Sequence, residues 1–224
     1  MAVEKAKAEK KDVGAAPGRR VAPRKVKRTR AEKAEQIRND LFHAAAKVVG
    51  EHGYLNAMIL MITQRANVAN GTFYNYFESR QDLFDQLLPI MGREMLQFIA
   101  ERSRTGETEF DREQQRFIAF FDYLAEHPEF YRILYEAEVF APEAFDAHMA
   151  QVTNGFAGVL RKGQRNGEIT GYSSKELDIL ALILMGARHY ISMRYRHDDE
   201  GTPDWVADTY RKFIMGGLRA VAEE

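Results

Sequence analysis

The chain has 224 residues, 45% of them hydrophobic and 29% charged, with a net charge of −1 and no cysteine. That length holds one sizeable domain, or a small one joined to a larger. The lack of cysteine excludes disulfides and thiolate metal sites. The longest apolar run, residues 179–187, is too short for a bilayer span of about 20 residues. No apolar stretch follows the basic N-terminus as a secretory signal requires, so the expectation is a cytoplasmic protein with no membrane partner.

The near-neutral total hides an asymmetry. Residues 1–30 carry eleven Lys or Arg against three acids, a net of +8, which leaves −9 on residues 31–224. A basic arm on an acidic body points to a polyanionic partner. Residues 1–28 have no apolar periodicity and are expected to be disordered, with Arg28 and Arg30 at the end of the arm as candidate phosphate contacts. Helix 1 is predicted over 31–52, where Ile37, Leu41, Ala44, Ala45, Val48 and Val49 form one stripe and Gly53 is a C-cap.

Helix 2 is predicted over 57–65. Ile59 and Ile62 suit its inner face, but Met58, Leu60 and Met61 cannot all point inward with them. Helix 3 follows over 69–75, carrying small polar and aromatic residues. Ser79 opens helix 4, with Asp82 three residues on as a near capping box. Two short helices around a tight turn are what a helix-turn-helix needs to enter a major groove. In that arrangement Asn70 can read an adenine edge, Gly71 lets the backbone approach, and Thr72 can touch a thymine methyl or a phosphate. Tyr74, Asn75, Tyr76 and Arg80 complete the candidate DNA-binding set, the tyrosines and Arg80 by reach to phosphate oxygens. Phe73 and Phe77 read as core.

The segment GTFYNYFESRQDLF, residues 71–84, resembles the DNA-binding module of the TetR (Tet repressor) family of bacterial transcription regulators. The resemblance covers about residues 31–90. It implies a helix-turn-helix DNA-binding domain over 29–78 and a helical effector-binding and dimerisation domain over 79–224. Ala69 stands where the family usually has a small hydroxyl residue, Arg80 where it has lysine, and the apolar start of helix 2 where it has Ser or Thr. A missing N-cap hydroxyl costs about 1 kcal/mol and a phosphate contact.

Pro89 is expected to kink or break helix 4, which is the lever between the two domains. Five more helices are predicted over 108–126, 128–139, 142–167, 173–197 and 203–222, with Pro128, Pro142 and Pro203 in first turns. No strand-like alternation of useful length appears. The expected fold is therefore all-α, of about nine helices.

The C-terminal region is rich in aromatic and methionine residues. Most read as core, and the sharper reading is an apolar ligand cavity with a few polar anchors. The candidate lining is Phe121, Tyr123, Tyr131, Tyr135, His148, Met149, Met185, His189 and Met193, with Arg188 and Tyr190 as further anchors. Because Arg188 and His189 are adjacent, only one is expected to reach the cavity, and the pattern favours His189. Residues 179–187 are apolar all round. In the last helix Val206, Tyr210, Phe213, Ile214, Gly217, Leu218 and Val221 form a seam expected to bury against a second copy, giving a homodimer through a four-helix bundle.

No catalytic constellation stands out. The six histidines lack metal spacing such as HExxH, so no metal, cofactor or enzymatic activity is expected. The expectation is a ligand-responsive repressor, released from its DNA operator by a small apolar or amphipathic effector. Two alternatives are a DNA-binding protein without an effector, and a helical carrier or enzyme for lipid-like molecules that keeps a vestigial helix-turn-helix.

Overall fold

The computed structural model describes residues 29–195 and 202–218, and the described residues form only helices. They are α1 (Arg30–Asn56), α2 (Ile59–Arg65), α3 (Asn70–Phe73), α4 (Arg80–Arg102), α5 (Glu109–Glu126), α6 (Phe130–Phe140), α7 (Pro142–Arg165), α8 (Ser174–Tyr195) and α9 (Asp204–Leu218). The basic arm, with Arg28, and Val221 of the last seam lie outside the described residues.

Each helix start has a local cause. Thr29 caps α1: its hydroxyl accepts from Glu32 N at 3.2 Å, and the Glu32 carboxylate accepts from Thr29 N at 2.7 Å. This reciprocal box stabilises the end by about 1 kcal/mol. Ser79 caps α4, its hydroxyl accepting from Asp82 N at 3.1 Å, while the Asp82 carboxylate accepts from Glu78 N at 2.9 Å. Thr108 and Asp111 form a full box at α5. Pro142 occupies the first turn of α7, where its missing N–H costs nothing.

Gly53 ends the regular run of α1 as expected: at φ 78° it leaves the helical region, and a last short turn continues to Asn56. A side chain there would be strained by that φ and would displace the Arg132 guanidinium and the Glu136 carboxylate, 2.8 Å and 2.9 Å from its Cβ. Pro89, by contrast, does not break α4, which continues to Arg102. The hydrogen bond that proline forfeits belongs to the carbonyl of Asp85, and Asp85 is exposed, so water can serve that group.

The apolar residues form two cores. The first joins α1–α3 to α4, α5 and α6: Leu41, Val49 and Ile62 share it with Leu87, Tyr123 and Ile133. The DNA-binding helices therefore have no core of their own, since α1 packs directly on α6. The second core joins α5, α7, α8 and α9 through Phe117, Leu160, Leu184, Tyr210 and Ile214. α4 packs on α5 and α7 and so runs from the first helices into the second half.

Candidate DNA-binding face and effector cavity

α2 and α3 are joined by a tight turn in which Asn67 takes φ 53° and Val68 N donates to Thr63 O at 3.0 Å. Asparagine tolerates that left-handed conformation better than most residues. α3 proper has only four residues. The predicted continuation over 74–75 is a tighter turn, with Asn75 N donating to Thr72 O and Tyr76 N to Phe73 O. The turn sets the outward face. Phe73 and Phe77 are buried, with ring centroids 5.3 Å apart, and Phe77 meets Phe42 edge-on at 5.0 Å. Around them Asn70, Gly71, Tyr74 and Asn75 are exposed and Thr72 and Tyr76 are half-buried. Nothing lies within 4 Å of where a Gly71 Cβ would be.

Arg80 is placed differently from its expected role. Its guanidinium donates to the carbonyls of Leu55 at 3.3 Å and Ala57 at 3.4 Å and lies over the Phe84 ring, tying the start of α4 to the turn between α1 and α2. Arg30 is exposed at the start of α1. α2 divides as its pattern requires. Ile62 and Thr63 are buried and Ile59 and Met61 half-buried, while Met58 and Leu60 are more than half exposed beside Leu55. Met58 provides no side-chain cap.

A cavity of about 520 Å³ lies among α4, α5, α6, α7 and α8. Tyr131, His148, Met149, Met185 and His189 line it, and Arg188 lines it as well as His189. The expectation that only one of the two reaches the cavity is thus corrected; the space is wide enough to take adjacent helical positions. Five other candidates lie elsewhere. Phe121 packs on Phe117 at 4.8 Å toward the second core. Tyr123 is fully buried in the first core, where its hydroxyl donates to Met91 O at 3.2 Å. Tyr135 reaches His189 from outside the lining, its hydroxyl 3.1 Å from Nδ1. Met193 and Tyr190 are exposed on the outer side of α8. The lining also recruits Met95 and Ile99 from α4, Phe120 from α5 and Phe156 from α7. Their apolar spacing was visible in the sequence, but nothing in it separates a face that meets side chains from one that meets space.

The α5 end of the cavity is ionic. Arg188 is buried and donates through Nη2 to Glu113 Oε1, which also accepts from the Tyr210 hydroxyl at 2.9 Å. Arg116 donates to Glu109 Oε1 at 2.6 Å and lies 3.4 Å from Glu113. The Arg188 guanidinium also sits 4.5 Å above the Phe156 ring. These pairs keep buried charges balanced, and removing one partner would leave the other uncompensated. At the α6 end, the Tyr131 hydroxyl pairs with that of Ser192. His148 is buried, and burial lowers its pKa to about 4, so it is neutral at neutral pH.

The seam expected on the last helix splits in two. Val206, Tyr210, Ile214 and Leu218 are buried within their own subunit. Phe213 and Trp205 are about 60% exposed, and on α8 Ile179, Leu182, Ile183 and Met193 are exposed as well, Leu182 also lining the cavity. No helix among the described residues is long and apolar enough to cross a membrane. No group of three or more potential metal ligands occurs among them.

Residues 41–87 match the family of bacterial regulatory proteins described as tetR. The fatty acid metabolism regulator protein of Bacillus subtilis is 36% identical over 59 residues, 26% of this chain and 29% of that protein. The probable acrEF/envCD operon repressor of Escherichia coli is 27% identical over 172 residues, 72% of this chain and 76% of that protein. The match thus spans under a third of the first relative's length. Among solved structures, the fatty acid degradation regulator FadR from Bacillus halodurans aligns with a TM-score of 0.68 at 19% identity, covering 81% of this chain and 96% of that one. FadR from Bacillus subtilis in complex with stearoyl-CoA aligns with a TM-score of 0.63 at 19% identity, covering 83% and 99%. At these identities the structural matches establish the fold.

Proposed function

The chain belongs to the tetR family of bacterial regulatory proteins, and we propose that it is a cytoplasmic homodimeric repressor whose hold on its operator is released by an apolar or amphipathic effector. The observation that carries this reading is the path of α4. It starts at the helix-turn-helix, where Leu83 and Phe84 lie in the shared core, and ends along the cavity, where Met95 and Ile99 form part of the wall. A ligand that favours one packing of that wall over another biases the placement of the DNA-binding helices. Asn70, Gly71, Thr72, Tyr74, Asn75 and Tyr76 present the DNA-reading face.

Two relatives are named for fatty acid regulation, and one was solved with stearoyl-CoA. An acyl chain suits a cavity of this volume and lining. The exposed apolar residues of α8, with Phe213 and Trp205 of α9, are the surface on which a second copy would close a four-helix bundle. In the dimer the two α3 faces each read half of a roughly palindromic operator. The test is selection of duplexes bound by the purified protein, followed by titration with material extracted from freshly isolated protein and identified by mass spectrometry. Release of the selected duplex by an extracted apolar compound is the expected result. Binding to DNA with no sequence preference, or release by no extracted compound, would refute the reading.

A further inference from the structure

Nearly every polar side chain on the cavity wall has a partner inside the protein. Tyr131 shares its hydroxyl with Ser192, and His189 meets the Tyr135 hydroxyl. Arg188 binds Glu113, and Arg116 binds Glu109. His148 differs. It is 3% exposed and lies on the wall, and its ring makes no hydrogen bond or ion pair with any described residue.

The ring's orientation follows from Gly92 on α4. A Cβ on Gly92 would stand 2.3 Å from His148 Nδ1 and 2.6 Å from Cε1, so that edge of the imidazole is pressed against the glycine backbone. The opposite edge, Nε2–Cδ2, is turned away from Gly92. A proton on Nδ1 would be a buried donor with no acceptor, so the proton of the neutral ring is assigned to Nε2. Phe130 meets the ring edge-to-face at 6.0 Å and helps to hold it.

We propose that His148 is the specificity-determining residue of the cavity, and that the effector carries an uncharged oxygen acceptor, a carbonyl above all, that takes the Nε2–H of this ring. The proposal rests on the reading of the cavity as the effector site. An oxygen entering an apolar cavity loses its hydrogen bonds to water and needs a donor there. His148 is the polar lining residue that makes no hydrogen bond with any described residue; Arg188, whose Nε is also unpaired, is already held through Nη2 by Glu113. The neutrality of His148 sets the class: a buried ring that resists protonation offers one N–H and no charge, so a carbonyl gains more from it than an ammonium does.

Two probes of one shape test this: 2-decanone, and 2-methyl-1-decene, in which a methylene replaces the carbonyl oxygen. Affinity is read from the rise of the unfolding midpoint with probe concentration. In His148→Phe the dissociation constant for the ketone should rise about tenfold while that for the alkene stays within twofold. His148→Gln, whose amide supplies a donor, should restore most of the ketone's affinity. Gly92→Ala, which drives the ring off its seat, should lose the ketone's advantage with the histidine still present. Equal changes for both probes in His148→Phe, or no binding of the ketone to the unsubstituted protein, would overturn the proposal. Binding of each protein to the selected duplex is measured in parallel, with and without probe. If the ketone binds the unsubstituted protein but does not release it from the selected duplex, the repressor reading fails, whereas release with no change in probe preference among the variants counts against the role of His148 alone.

Discussion

Glu136 accepts the backbone N–H of Tyr54 at 2.7 Å, across 82 residues of chain. The contact sits where Gly53 breaks α1, and Arg132, one turn earlier on α6, donates to the carbonyls of Gly50 and Glu51. The groups that the break leaves without intrahelical partners are thus satisfied by α6. The helix-turn-helix is fastened to the effector half by α6 as well as by α4. A rearrangement of α6 around a ligand would act on the end of α1 directly.

This fastening predicts a large cost for a half-exposed residue. Glu136→Ala removes a charged acceptor from a backbone donor and should cost about 2 kcal/mol. In a chain of this size that lowers the unfolding midpoint by about 5 °C. Gly53→Ala should be at least as damaging, since it adds an unfavourable positive φ to the collision with Glu136. Thermal unfolding followed by circular dichroism measures both. Unchanged midpoints would mean that α6 does not hold the break in α1.

The exposed face of α3 predicts two distinct DNA phenotypes. Tyr74→Phe removes a hydroxyl with phosphate reach and should weaken binding to all sequences by a similar factor. Asn70→Ala should relax discrimination at one base position per half-site by about 1–3 kcal/mol. Fluorescence anisotropy against the selected operator and single-base variants separates the two. If neither substitution changes binding, the reading face lies elsewhere.

Much of this was legible in the sequence because period and punctuation agree. The stripe on α1, the prolines near the starts of α6, α7 and α9, and Ser79 locate helices whose ends fall within a few residues of the predicted ones. Phe73 and Phe77 could be assigned to the core because they lie four apart and flank exposed polar residues. What failed depends on surroundings that the pattern does not carry. Pro89 is tolerated because the carbonyl it orphans is on the wet side of α4. Phe213 and Ile214 are neighbours in one apolar run, yet one faces out and the other into its own subunit. Tyr123 is aromatic and near the cavity in sequence, but its hydroxyl is committed to Met91. Whether an apolar face meets a neighbour, a cavity or a second copy is a tertiary property.

That division of α9 changes which substitution tests assembly. Leu218 is buried against its own subunit, so Leu218→Glu should unfold the second core rather than part a dimer. Phe213→Glu and Ile183→Glu place a charge on the open apolar surface of α9 and α8. Each should leave helical content intact and shift sedimentation to monomer, because an uncompensated charge in a desolvated interface costs several kcal/mol. Wild-type-like dimers from both variants in analytical ultracentrifugation would move the interface away from this face.

His148 gives the protein a pH dependence with a definite sign. Its pKa is lowered by burial from 6.5 to about 4. Between those values the unfolded chain binds a proton that the folded chain does not, so the stability contributed by the neutral ring is complete above pH 6.5 and is lost as pH falls toward 4. The loss amounts to about 2 kcal/mol by pH 5. His148→Gln lacks the titration, while the remaining carboxylates and histidines respond alike in both proteins and cancel in the comparison. Urea unfolding at pH 7 and pH 5 should therefore show a fall in stability about 2 kcal/mol smaller in the variant than in the unsubstituted protein. Equal falls would mean that the ring is solvated or charged in the folded state.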